Sequence, residues 1–237
     1  MVIFIRFINI KKIKNYLNII IIIKLKNMSN KNQIEIQNDK PISCKVIVVG
    51  DSGVGKTSII KRYLNSFKEN EKSTIGASYS TKSQIIGKYT ISFDIWDTAG
   101  EERFRSVNSI FYKEACACIL VYDITNVETF QNIKTYWYDS VKNNAISEII
   151  FAVAGNKCDL YTKEKVKIKE AKEFCKEIDA IFFETSALEN QSIDEIFEKL
   201  GEKFISSEIF KKIMSNLEYE NKLELKRTKV KKKKVCC

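Results

Sequence analysis

Short β-rich apolar runs alternate with amphipathic helical periods, and this predicts an α/β fold with a parallel sheet between layers of helices. Two observations carry the prediction. Residues 45–49, 91–96, 116–122, 149–154 and 181–183 are brief runs rich in Val, Ile, Phe and Cys, read as buried strands by length and type. Between them apolar residues recur at helical spacing, as at Ile193, Ile196, Phe197, Leu200 and Phe204. With 237 residues, 44% of them hydrophobic, the chain has the material for one sizeable core plus extensions.

The elements follow in order. The run 45–49 is the first strand, and a helix is expected from Thr57 to about Asn65. Residues 91–96, 116–122 and 149–154 are the next strands. Ile168, Ala171, Cys175 and Ile178 mark a helix face, residues 181–183 a strand and residues 193–204 a last helix. From about residue 207 the pattern fades, and after Lys222 charge dominates, which predicts a flexible tail over 207–237.

Composition excludes several chemistries. The chain has no histidine, so His-based general bases, Ser-His-Asp triads and His-containing metal sites are out. Its seven cysteines form no C-x-x-C pair, which argues against zinc ribbons and thioredoxin-type redox sites and for a reducing compartment. The net charge is +10. Residues 1–27 contribute +6 and residues 222–237 contribute +7, so the body between them is mildly acidic at −3. Basic ends on an acidic body point to an anionic membrane surface rather than nucleic acid.

Residues 1–40 form an N-terminal extension. Its longest apolar run, residues 19–23, is far short of the roughly 20 residues that span a bilayer. Three readings fit residues 1–27: a stretch outside the working protein with Met28 as the natural start, an amphipathic membrane-surface segment, or a targeting signal.

Gly50-Asp51-Ser52-Gly53-Val54-Gly55-Lys56-Thr57 fits G-x-x-x-x-G-K-[ST], with a strand before it and a helix after it. Glycines let the backbone turn tightly and present N–H groups to phosphate oxygens, while the helix points its positive end at the same place. Lys56 supplies a charge for the terminal phosphates, and Thr57 offers a hydroxyl to Mg²⁺. The bland alternative is a Gly-rich turn with a surface lysine. Asn156-Lys157-Cys158-Asp159 closes a later strand. A carboxylate there can accept from N1–H and the 2-amino group of guanine, donors that adenine lacks. A helix-capping or turn aspartate is the plainer reading of that tetrad alone.

Together these motifs identify a domain over 41–206 that from about Cys44 to Ser206 resembles the Ras-like small GTPases, and within them the Rab branch. The resemblance implies a mostly parallel six-stranded sheet, GTP and GDP as ligands, Mg²⁺ as cofactor and GTP hydrolysis as the reaction. It adds Ser58 to the phosphate loop. Asp97-Thr98-Ala99-Gly100 is similar to D-x-x-G, whose aspartate holds Mg²⁺ through water and whose glycine N–H meets the γ-phosphate. Thr74 resembles the switch threonine that closes on Mg²⁺, Phe67 the aromatic over the base edge, and Ser186 and Ala187 the last base-binding motif. The segment leading to Phe67 is one residue shorter than usual.

The Rab resemblance rests on residues 75–79, 102–106, 111–113 and 121–125. It puts Tyr79, Trp96 and Tyr112 at the effector surface, although core packing also explains such aromatics. Ala77 is similar to the endosomal subgroup. The implied partners are an exchange factor, a TBC-type activating protein, a GDP-dissociation inhibitor, a prenylation escort and effectors. The chain ends Lys231-Lys232-Lys233-Lys234-Val235-Cys236-Cys237, which does not fit C-a-a-X but resembles the Rab pattern for two prenyl groups. Unmodified thiols on a solvated charge run are the alternative. The implied location is the cytoplasmic face of an endomembrane, with a cytosolic pool.

One position departs from the family. Where it reads D-T-A-G-Q-E, this chain has Glu101. Glutamine can accept from the attacking water and donate to phosphate, whereas a carboxylate only accepts and adds negative charge. Slow intrinsic hydrolysis follows, assisted by an activator, with Glu101, Lys56, Gly100 and Thr74 as the catalytic set. A carboxylate is also the stronger base, so a faster rate stays open. The competing readings are a GTP-locked membrane scaffold and an ATP-using P-loop kinase. Asn156 and Asp159 argue against the kinase.

Overall fold

The computed structural model describes residues 40–68, 74, 76–100, 105–217 and 219, with the side chains of 105–108 excepted. Residues 1–39, Glu101, Cys236 and Cys237, and the tail from 220 lie outside the described residues.

Six strands form one sheet: β1 Ile42–Val49, β2 Ala77–Ile86, β3 Tyr89–Thr98, β4 Ala117–Asp123, β5 Ile150–Asn156 and β6 Ile181–Thr185. Their order is β2-β3-β1-β4-β5-β6. All neighbours run parallel except β2 and β3, an antiparallel hairpin closed at Ile86 and Tyr89. The helices are α1 Lys56–Tyr63, α2 Arg105–Tyr112, α3 Val127–Asn132, α4 Tyr138–Asn144, α5 Ile168–Glu177 and α6 Ile193–Ile205. A π-helical turn, Ile133–Trp137, joins α3 to α4.

Residues 46–49 of β1, 117–122 of β4 and 150–155 of β5 read as unbroken apolar runs because both faces of the sheet are covered there. Successive residues of β1 enter opposite layers: Val46 and Val48 pack with Ile59, Phe93, Phe197 and Phe204, while Ile47 and Val49 pack with Phe130, Trp137 and Phe174. β4 does the same, with Ile119 and Val121 on the first side and Leu120 and Tyr122 on the second. The expected stripe on α6 is buried in the first layer throughout. The α5 face is buried at Ala171, Phe174 and Cys175.

Two features differ from the residue-level reading. β2 has no apolar run; its sequence, ASYSTKSQII, alternates partly buried and exposed residues as an edge strand covered on one side does. Residues 208–217, expected as tail, are helical. Ser207 Oγ accepts from the Phe210 N–H at 3.2 Å and caps this segment. Ile209 and Phe210 are buried, with Phe210 edge-on to Phe204 and Tyr89. Ordered packing thus continues beyond residue 206, because Ile209, Phe210, Ile213 and Met214 share one helix face.

This topology fixes the place of a ligand site. β1 lies between β3 and β4, so the chain's crossovers diverge at its C-terminal end and leave a crevice there. β1, β3, β4, β5 and β6 all bring polar residues to that edge.

Candidate nucleotide and metal site

The loop after β1 is built around glycine. Gly50, Gly53 and Gly55 have φ of 146°, 76° and 98°, values that residues with a side chain rarely adopt. Gly50 and Gly55 are also crowded. A Cβ on Gly50 would lie 2.2 Å from the Val121 carbonyl oxygen, and one on Gly55 would lie 2.3 Å from Asn156 Nδ2. α1 begins at Lys56 with no side-chain cap and no acidic residue in its first turn. Its first N–H groups therefore face the loop as anion donors. Val54 is buried, Ser52 and Gly53 are exposed at the rim, and Ser58 is half-buried.

Lys56 is buried, and Nζ donates to the carbonyls of Gly50 at 2.9 Å and Asp51 at 2.8 Å. Desolvation pushes its pKa down to about 8 against the attraction of Asp97 and Asp51. A cation held in so dry a place gains strongly from an arriving anion. Gly100 lies against the same lysine; a Cβ there would be 2.4 Å from Lys56 Nζ.

Three oxygen-bearing side chains converge beside it. Thr57 Oγ1 donates to Asp97 Oδ2 at 2.6 Å and lies 2.6 Å from Thr74 Oγ1. Thr74 Oγ1 is 3.4 Å from the same carboxylate oxygen. Asp97 Oδ1 is buried without a hydrogen-bond partner. Burial raises the Asp97 pKa, with Thr57 and Lys56 opposing. An orphaned carboxylate oxygen beside two hydroxyls is an all-oxygen donor set, the kind a hard divalent cation takes. Among the described residues no group of three or more His, Cys, Asp or Glu side chains could hold a metal. The donors present fit a cation that shares its coordination with phosphate oxygens and water.

The third corner is the end of β5. Asn156 donates from Nδ2 to the Val54 carbonyl at 2.8 Å and accepts at Oδ1 from Thr185 Oγ1 at 3.2 Å. Lys157 adopts a left-handed conformation, φ 66°, and its Nζ is 2.6 Å from Asp123 Oδ2. Burial opposes ionisation of Asp123, but hydrogen bonds from Lys157 and Thr125 outweigh it and lower the pKa. Asp159 Oδ1 accepts from Ser186 Oγ at 2.5 Å, so these two motif residues meet. Ala187 is buried beside them.

Sequence reasoning missed Arg62. Its Nε donates to the Ala187 carbonyl at 2.7 Å, and Nη2 donates to that of Leu188 at 2.8 Å. Its guanidinium lies 3.8 Å from the Phe67 ring centroid. Phe67 is thus tied to the Ala187 loop through Arg62 despite the shortened segment. No sequence signal marks an arginine in the last turn of a short helix for such a bridge.

The aromatic surface needs a correction. Tyr79 is 54% exposed and Trp96 is half-buried, with their ring centroids 5.4 Å apart. Tyr112 is fully buried in the second core layer. The ring that completes the cluster is Phe111, 5.2 Å from Trp96. Adjacent residues on a helix point about 100° apart, so a shift of one position exchanges surface for core.

Residues 45–206 match the family model described as the Ras family. The chain is 40% identical over 195 residues to Ras-related protein Rab-22A of Homo sapiens, covering 81% of this chain and 97% of that protein. It is 42% identical over 154 residues to Ras-related protein Rab11A of Lotus japonicus, covering 65% and 68%. It is 42% identical over 158 residues to Ras-related protein Rab-31 of Mus musculus, covering 66% and 80%. The chain belongs to the Ras family, the small GTPases built on this phosphate loop and sheet. Within that family it is a Rab.

Proposed function

We propose that the chain binds GTP and GDP with Mg²⁺ at the C-terminal edge of the sheet and switches between the two states to recruit effectors in vesicle trafficking. The observation that carries this is the meeting of three chemistries at one edge. Lys56 and the α1 N-terminus suit phosphate, the Thr57–Thr74–Asp97 oxygens suit a divalent cation, and Asp159 beside Ser186 suits guanine. Mg²⁺ would be held by Thr57 and Thr74, with Asp97 acting through water, and would neutralise charge developing on the phosphates.

This chain's own residues position rather than react. Lys56 Nζ would leave its two carbonyl partners for phosphate oxygens, the Gly100 N–H would meet the γ-phosphate, and Thr74 would be released when that phosphate is lost. Effectors would read Tyr79, Trp96 and Phe111 together with the segments that flank Thr74 and Gly100. Exchange factor, TBC-type activator, GDP-dissociation inhibitor and prenylation escort are the corresponding regulators. Two prenyl groups on Cys236 and Cys237, aided by the lysines before them, would hold the chain at the cytoplasmic face of an endomembrane. Among the described residues, no helix is long and apolar enough to cross a membrane.

Glu101 in place of glutamine supports slow intrinsic hydrolysis, and in the extreme a GTP-locked scaffold. Calorimetry with GDP, GTP and ATP in Mg²⁺ buffer tests the binding reading, which expects both guanine nucleotides to bind and ATP to fail. Single-turnover hydrolysis by wild type and Glu101→Gln then separates the two versions. Measurable wild-type turnover that rises in Glu101→Gln supports the slow switch, no wild-type turnover supports the scaffold, and equal rates mean the position is idle.

A further inference from the structure

The side chain of Asp51 is anchored from outside the phosphate loop. Asn132 Nδ2 donates to its Oδ2 at 2.7 Å, and Trp137 Nε1 donates to its Oδ1 at 2.7 Å. Both oxygens of one carboxylate are thus gripped from the α3–α4 connection, and Trp137 is fully buried.

The grip depends on the π turn. An α-helix rotates about 100° per residue, so side chains five apart diverge by about 140°. Asn132 and Trp137 are five apart. Within Ile133–Trp137 the Tyr138 N–H bonds to the Ile133 carbonyl, an i to i+5 ring that spends one more residue per turn. Residues five apart thereby return to one face, and both donors reach the same carboxylate. Such turns carry a cost that regular α-helix avoids, and they concentrate where geometry serves function.

The main chain of Asp51 meets the site. Its carbonyl oxygen accepts from Lys56 Nζ, and a Cβ on Gly100 would lie 2.4 Å from its carbonyl carbon. One residue therefore has its side chain held by the π turn and its backbone against the lysine and glycine of the proposed phosphate site.

We propose that Asn132 and Trp137 are positioning residues that hold the first turn of the phosphate loop through the Asp51 carboxylate, and so slow the release of bound nucleotide. This rests on the nucleotide-binding reading above. Hydrogen bonds to an ionised acceptor are strong enough that losing either donor speeds release about tenfold.

The test is stopped-flow release of N-methylanthraniloyl-GDP from the full chain in Mg²⁺ buffer, with thermal melting measured alongside. Trp137→Phe keeps a buried ring but removes the donor; Asn132→Leu removes the other donor at a half-buried position. Each is expected to speed release about tenfold. In an Asp51→Ala background, Trp137→Phe should add nothing further. Val141→Ala, a core truncation on α4, should lower the melting temperature without changing release. Release at the wild-type rate from both donor variants overturns the proposal, as does a Trp137→Phe effect of the same size in the Asp51→Ala background. Should Trp137→Phe fail to fold, Asn132→Leu decides alone. If wild type binds no probe, the nucleotide reading itself falls and this proposal with it.

Discussion

Asn156 Nδ2 donates to the Val54 carbonyl at 2.8 Å across 102 residues of sequence, joining the end of β5 to the middle of the phosphate loop. Both partners are buried, so this bond is shielded from water and sets the separation between the proposed base and phosphate halves of the site.

Asn156→Leu should leave the Val54 carbonyl unpaired. The expected cost is about 1–3 kcal/mol in stability, with weaker binding of GDP. Urea denaturation and calorimetry check it; an unchanged midpoint with unchanged affinity would show the bond to be dispensable.

Gly55→Ala should be more damaging than Gly53→Ala. Both have positive φ, but only at Gly55 would the new methyl meet Asn156, whereas nothing lies within 4 Å of a Cβ on Gly53. The expected ordering is a cost of about 1–2 kcal/mol at Gly53 from backbone strain and near-complete loss of folded protein or nucleotide binding at Gly55. Melting curves of the two variants read this directly.

Nucleotide affinity should fall as pH rises above about 8. Phosphate favours the protonated lysine, so bound nucleotide raises the Lys56 pKa from its depressed value of about 8. Binding is therefore full below that value and is lost as pH climbs through it, by about tenfold at one unit above. Stability of the nucleotide-free chain runs the other way. The unfolded lysine holds its proton to higher pH, so folding gains as pH rises from about 8 towards the ordinary 10.5. Titration calorimetry at several pH values, with Lys56→Met as the flat control, checks both signs.

Asp97→Asn should raise the Mg²⁺ concentration needed for slow GDP release by about 10–100-fold. Without Mg²⁺ the same variant should be at least as stable as wild type, because burial already disfavours the charged carboxylate. Release rates across a Mg²⁺ series and melting in chelator separate the two effects.

Phe111→Ala and Tyr112→Ala should part company. Tyr112 is wholly buried, so its truncation is expected to cost about 3–5 kcal/mol. Phe111 is half-buried against Trp96, and its loss should weaken effector binding with a smaller change in stability. Denaturation midpoints give the first comparison and effector pull-down the second.

Much of this molecule is legible without coordinates, for reasons visible in single elements. Residues 46–49 of β1 and 117–122 of β4 are buried on both faces, so their sequence must be apolar and announces itself. The phosphate loop needs glycine where φ is positive and a methyl would collide, so its spacing is constrained tightly enough to read. β2 escaped because one-sided cover at a sheet edge leaves a polar alternation, whereas residues 208–217 carry Ile209, Phe210, Ile213, Met214 and Leu217 at helical spacing and are masked only by the charged stretch that follows them. The sequence alone determined the chemistry on offer: a phosphate loop, an N-K-x-D tetrad, no histidine, and glutamate where the family has glutamine. Only the tertiary structure decided which groups meet. Arg62 reaching Ala187, Asn132 and Trp137 closing on Asp51, and Phe111 rather than Tyr112 joining Trp96 depend on helix phase and on contacts between distant segments. A hydrogen bond between such segments leaves no local pattern in the chain that makes it.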